Sequence, residues 1–305
     1  MKQKNSWTCD VTTGECSTSE HEVEVIKLQE MPSKIKILYY TDPICSACWG
    51  LEPYLRRLEV EYGGFFDMEY RMGGLLPSWE GFMDAANGIG KPADVATHWE
   101  ELGQATGMPI DGGVWLENPL HSSFPPSLAY LAARNQSVEL AQRYLRRLRE
   151  MVFLEKRNIA EEETIYEAAR QIGLNMERFQ QDFHHPDTAE RFQTERREGA
   201  RFGVRGFPSL LFFSAAGDGL KVTGIQSFST YVNALSQVLG RDVEPKFEQG
   251  PITYWLQHYP LLASKEIAEL QHRSISDVEA ELHALAVEGK VQVHPVNEGY
   301  YWSLQ

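Results

Sequence analysis

Two cysteines three residues apart stand where a strand-like run gives way to a helix-like one. Ile35-Lys36-Ile37-Leu38-Tyr39-Tyr40 leads through Thr41-Asp42-Pro43 into Cys45-Ser46-Ala47-Cys48-Trp49, and Leu51 to Tyr62 has helical character. At i and i+3 on a first helical turn the two sulfurs share one face, and the unpaired amides and positive dipole end lower the pKa of the first, exposed thiol. Cys45 is thus the candidate nucleophile and Cys48 its resolving partner. Half of a zinc site is the other use of such spacing, but no second C-x-x-C completes a four-thiolate set.

At 305 residues the chain exceeds what one core usually organises, so two domains are expected. A formal charge of -14 disfavours nucleic-acid backbones and anionic membranes as partners and leaves proteins and small molecules. The basic start, Met1 to Trp7, is not followed by an apolar stretch, and the most apolar run, Leu210-Leu211-Phe212-Phe213, is far too short to cross a bilayer. The expected location is the cytoplasm, where the thiol pool keeps a dithiol reduced.

Residues 1–32 are polar, hold Cys9, Cys16 and His21, and read as a flexible tail. A domain over 33–240 follows, with a second strand at Phe66 to Met72. Within it, about 75–202 turns helical: Pro92 opens a helix over Ala93 to Ala105, and Ser127 to Arg134 follows a break at Pro125-Pro126. In Ser137 to Leu154, Leu140, Tyr144, Leu148 and Met151-Val152 form an apolar stripe, with Arg143, Arg146, Arg147 and Arg149 covering much of the rest. Further helices are expected over Ala160 to Ile172, Met176 to Phe183 and Thr188 to Phe202. Strands resume at Leu210 to Phe213 and Leu220 to Gly224, and a helix over Thr230 to Leu239 ends at Gly240.

Residues 241–305 read as a separate unit. Helices at Ser264 to Gln271 and Ser276 to Glu288, the second opened by a Ser276/Glu279 capping box, precede a hairpin of Lys290 to Val293 and Tyr300 to Leu304. That order suggests a winged helix. Five Lys and Arg against ten Asp and Glu give this segment a net charge of -5, which repels phosphates and favours protein contact over DNA binding. His98, His121, His184, His185, His258, His272, His283 and His294 lack ligand spacing and read as surface or packing residues. Gly88-x-Gly90-Lys91 lacks the strand a phosphate-cradling loop requires.

Gly203-Val204-Arg205-Gly206-Phe207-Pro208 enters the apolar strand with a proline where thioredoxin-type folds carry a cis proline facing the dithiol. With dithiol helix, helical insertion and this segment together, the chain resembles the DsbA-like branch of the thioredoxin superfamily over about Lys34 to Leu239. The resemblance implies that Pro208 lies beside Cys45. The dipeptide Ser46-Ala47 lacks the histidine of strong oxidants, and Phe207 is bulky where a small or hydroxylic residue is common.

Adding the Cys-containing tail, the C-terminal unit and Asp42-Pro43-Ile44-Cys45-Ser46-Ala47-Cys48-Trp49, the whole chain resembles the SpxH (YjbH) family of Firmicutes. The fold class expected is therefore α/β: a thioredoxin-like, DsbA-like domain with a large helical insertion, then a small winged-helix-like unit. The resemblance implies an adaptor that binds the transcription regulator Spx and promotes its degradation by the ClpXP protease. No cofactor is required for that, although the family's metal-responsive N-terminus makes Cys9, Cys16 and His21 candidate zinc ligands, short of a tetrahedral set. An adaptor needs exposed apolar anchors, expected at Trp49, Phe207, Trp79, Phe82 and Met83 within and beside Leu75 to Met83. The alternative is a thiol-disulfide oxidoreductase in which Cys45 attacks, Cys48 resolves, Pro208 aligns the client and Asp42 assists proton transfer.

Overall fold

The computed structural model describes residues 34–85, 87–246 and 250–305, together with the backbone of two short strands nearer the N-terminus. Those strands, β1 (Trp7–Cys9) and β2 (Cys16–Thr18), pair antiparallel with Cys9 opposite Cys16. The side chains of Cys9 and Cys16, and His21 altogether, lie outside the described residues, as does the rest of the expected tail.

Lys34–Gln305 forms one compact unit. Its central sheet has the order β4-β3-β5-β6. Strand β3 (Ile35–Thr41), helix α1 (Ser46–Tyr62) and strand β4 (Phe66–Met72) make a parallel βαβ unit, with Ile35 opposite Phe66 and Thr41 opposite Met72. The side-chain period of two divides β3 cleanly: Ile35, Ile37 and Tyr39 enter the apolar cluster beneath α1, and Leu38 and Tyr40 join a second cluster on the other face.

The insertion runs through α2 (Pro92–Thr106), α3 (Val114–Glu117), α4 (Phe124–Arg134), α5 (Val138–Phe153), α6 (Glu162–Ile172), α7 (Met176–His184) and α8 (Pro186–Arg201). Pro125 and Pro126 occupy the first turn of α4 instead of breaking the chain ahead of it, because amides there have no intrahelical partner to lose. Ser137 caps α5 by accepting from the Leu140 amide at 3.3 Å, and Tyr144, Leu148, Met151 and Val152 are buried as their spacing predicts. The arginines on α5 depart from expectation. Arg149 shares the face of Leu145 and Val152, at i+4 and i-3, and is completely buried.

Strands β5 (Ser209–Phe213) and β6 (Gly219–Thr223) then complete the sheet, β5 antiparallel to β3 with Ser209 opposite Tyr40. Helix α9 (Phe228–Leu239) covers the same face as α1 and ends on Gly240 at φ 71°.

The C-terminal elements are α10 (Ile252–His258), β7 (Leu262–Ala263), α11 (Ser264–Gln271), α12 (Ile275–Val287), β8 (Val291–Val296) and β9 (Gly299–Leu304), with sheet order β7-β9-β8. Sequence reading misses α10 and β7. It also misplaces the cap of α12, which is Ser274, accepting from the Asp277 amide at 3.1 Å, not Ser276. These elements have an apolar cluster of their own around Trp255 and Trp302. A buried acid ties them to two helices of the preceding region: Glu266 of α11 accepts from Arg56 of α1 at 2.9 Å and from Arg146 of α5 at 2.8 Å.

Candidate dithiol site

Strand β3 delivers Thr41 and Asp42 to the end of the sheet, where a tight turn hands the chain to α1. Asp42 builds that turn. Its Oδ1 accepts from the Ile44 amide at 3.1 Å, and its Oδ2 from the Leu75 amide at 2.7 Å and the Ser123 hydroxyl at 2.9 Å. The carboxyl is fully buried, and that burial, only partly offset by the Leu75, Ile44 and Ser123 donors and by Arg149, pushes its pKa up to about 6. Asp42 therefore pins three segments together, a structural part larger than a turn residue alone would have.

Cys45 is the N-cap of α1, in extended conformation, and its Sγ accepts from the Cys48 amide at 3.1 Å. Its own amide donates to the Asp42 carbonyl at 3.2 Å. The expectation of an exposed, low-pKa first thiol does not hold, for Cys45 is 4% exposed and Cys48 fully buried. The two sulfurs titrate as a pair. Burial raises the Cys45 thiol, and the neighbouring Cys48 raises it further. At Cys48 burial also raises, but the hydrogen bond with Cys45, the Arg149 guanidinium and the Thr41 hydroxyl outweigh it and bring that thiol down.

Arg149 is the residue sequence reading missed. Its Nη2 donates to Thr41 Oγ1 at 2.5 Å and to the Asp42 carbonyl at 3.4 Å, and its Nη1 pairs with Glu52 of α1. A signal existed, since a charged residue at i+4 from Leu145 and i-3 from Val152 lies on the apolar face of its helix. A cation there must meet an anion or a polar pocket.

Pro208 is buried and its bond to Phe207 is cis. It directly precedes Ser209, which pairs with Tyr40, so Pro208 lies at the end of β5 nearest the point where β3 delivers the dithiol turn. Phe207 is half-buried, and its ring occupies the space above Gly73, where a Cβ would come within 1.9 Å of it. Gly73 is fixed in turn by its amide on the Thr41 carbonyl at 2.8 Å.

The expected exposed anchors divide. Trp49 is fully buried, stacked on Phe153 at 5.3 Å and on Tyr301 at 6.3 Å, with the Arg146 guanidinium 4.6 Å from its ring. Trp49 is therefore core, because the insertion and β9 close over the first turns of α1. Trp79 and Phe82 are half-buried in an edge-on pair 5.5 Å apart, and the Trp79 indole donates to the Leu120 carbonyl at 2.8 Å. Met83, at 75%, and Leu75, at 38%, are the exposed large apolar side chains of that segment. Among the described residues no cluster of His, Cys, Asp and Glu could hold a metal ion, and no helix is long and apolar enough to cross a membrane. His272 pairs with Glu61 at 2.7 Å and His283 lies edge-on to Tyr300 and Trp302.

A βαβ unit with a capped dithiol, a cis proline at the adjoining strand and helices inserted between the halves of the sheet define a thioredoxin-fold, DsbA-like protein. The Thioredoxin family model matches residues 38–233. A putative protein disulfide isomerase from Nitrosomonas europaea has the same fold (TM-score 0.57, 21% identity, covering 74% of this chain and 99% of that one). The cytosolic disulfide reductase DsbM from Pseudomonas aeruginosa is also similar (TM-score 0.51, 25% identity, covering 67% of this chain and 95% of that one). Beyond the fold, the chain belongs to the SpxH family of ClpXP adapter proteins: it is 32% identical to the SpxH of Halalkalibacterium halodurans over 98% of this chain and 97% of that one. The SpxH of Bacillus subtilis is 32% identical over 93% of this chain and 94% of its own length.

Proposed function

We propose that this protein binds Spx in the cytoplasm and promotes its degradation by the ClpXP protease. The observation that carries this reading is the reach of the adapter likeness, which extends through the C-terminal elements and well past the thioredoxin-type region. A closed dithiol fits a docking role, since a protein whose work is exchange keeps one sulfur open to clients. The docking surface on this reading runs from Phe207 and Leu75, the latter held to Asp42 by its amide, along the segment of Trp79, Phe82 and Met83, all half-buried or exposed apolar groups.

The test is reconstituted degradation of Spx by ClpXP with the full chain added. Acceleration retained in Cys45→Ala and Cys48→Ala supports docking without thiol exchange. Loss of acceleration in both, with Spx capture lost too, points to a mixed disulfide instead.

A second reading, disulfide reduction by Cys45 and Cys48, draws on the cis Pro208 and on the likeness to DsbM. It requires insulin reduction above the glutathione background that vanishes in Cys45→Ser. Zinc at Cys9, Cys16 and His21 is a separate proposal: three donors need a fourth from elsewhere, and equal zinc content with and without residues 1–32 would exclude it.

A further inference from the structure

We propose that a cavity of about 500 Å³, lined by α1, α5 and the segment joining α10 to β7, binds a short peptide with free ends, a di- or tripeptide, whose terminal ammonium pairs with Glu59 and whose terminal carboxylate pairs with Arg143. The volume lies in the range of pockets that enclose small ligands. Helix α1 contributes Glu52, Arg56 and Glu59, which share one face at i, i+4 and i+7, and α5 contributes Arg143, Arg146, Arg147 and Glu150 on a face of the same kind.

Most of these charges are already committed. Arg56 and Arg146 donate to Glu266 at 2.9 Å and 2.8 Å, Arg147 donates to Glu155 at 2.6 Å, and Glu150 accepts from Arg146 at 2.8 Å. Glu52 pairs with Arg149. Glu59 and Arg143 are the exceptions: both are exposed, and neither has a hydrogen bond or an ion pair among the described residues. The Gln142 amide and the Tyr70 hydroxyl line the same cavity and are also without hydrogen-bond partners there. Glu59 stays open to the cavity, yet the protein around it displaces enough water to raise its carboxyl to about 7, against the pull of Arg56 and with Glu52 adding to the rise. Its ionised form therefore lacks the counter-ion that a bound ammonium supplies.

An unpaired cation and an unpaired anion in one cavity select a ligand that carries both charges. A simple anion would satisfy Arg143 and set a second negative charge against Glu59, and a diamine would do the reverse. A single amino acid holds both charges on one carbon, whereas the two receptor groups stand on different helices, whose axes at their closest packing are about 8–10 Å apart. A peptide places its charges at the two ends and joins them by amides, which donate to and accept from Gln142 and Tyr70. Its side chains meet Ile172, Tyr259 and Leu261 on the same lining.

The test is calorimetric titration of the full chain with trialanine, N-acetyl-trialanine, trialanine amide and free alanine. One site is expected for trialanine, with each blocked peptide and alanine at least about tenfold weaker, the loss that follows from one missing charge-assisted bond. Arg143→Gln should make trialanine and its amide bind alike, and Glu59→Gln should do the same for trialanine and its N-acetyl form. Both side chains are exposed, so the two variants should unfold at the wild-type temperature. No binding of trialanine at millimolar concentration, equal binding of the blocked peptides or alanine to the wild type, or wild-type selectivity in either variant overturns the proposal. The titration needs neither Spx nor protease, so its outcome is separate from that of the adaptor reading.

Discussion

Asp42, Trp49 and Arg149 carry the chemistry of the dithiol turn, and only the first two stand beside the cysteines in sequence. Asp42 in the folded chain has its pKa raised from 3.8 to about 6. The fold thus favours the neutral carboxyl: its stabilising contribution is complete below about pH 4 and is lost as pH rises through about 6, a swing of up to about 3 kcal/mol. Denaturant midpoints measured from pH 4 to 7 should fall over that interval, and Asp42→Asn should reduce the fall, leaving the part that belongs to Glu59, whose carboxyl burial raises to about 7. A slope unchanged in Asp42→Asn would assign it to another group. Trp49 invites a different measurement. Fully buried between Phe153, Tyr301 and Arg146, it should cost about 3–5 kcal/mol when cut to Ala, whereas an exposed anchor would cost under about 1 kcal/mol. Cys45 and Cys48 were legible from spacing, since C-x-x-C at a strand–helix joint has few other uses. Their burial was not, because the groups that meet the turn at Thr41 and Asp42, among them Leu75 and Arg149 of α5, come from farther along the chain.

Helices α1, α5 and α11 meet at Glu266. Its carboxylate is completely buried, and although burial raises its pKa, Arg146 and Arg56 hold it down at about 2. The sign is opposite to that of Asp42. Stability from Glu266 is present above the ordinary carboxylate pKa of 4.5 and is lost as pH falls through about 2. Glu266→Gln leaves two arginines facing each other without their anion, and should destabilise by about 3–5 kcal/mol in urea unfolding at neutral pH. A loss below about 1 kcal/mol would mean that solvent reaches the pair and screens it. Most helices on either side of this junction were readable, because periodic apolar positions and caps such as Ser137 and Gly240 are local signals. Short α10 was not: at seven residues it has barely two turns in which a period could repeat.

For the whole molecule, the sheet and the C-terminal elements share buried surface: Tyr301 of β9 stacks on Trp49 and donates to the Pro109 carbonyl at 3.0 Å. A chain ending at residue 250 should therefore expose the Trp49 face, bind a hydrophobic dye and unfold at lower urea than the full chain. Equal stability and no dye binding would show the thioredoxin-type part to be independent. The order of elements, the position of the dithiol and the proline before β5 were fixed by the chain's own pattern, because alternation, helical period and turn chemistry act over a few residues. Which sulfur is deeper, which arginine braces the turn and which tryptophan is core were decided by tertiary packing. Burial and charge pairing depend on groups brought together from more than a hundred residues away, as Arg149 is to Thr41, and no local pattern records that meeting.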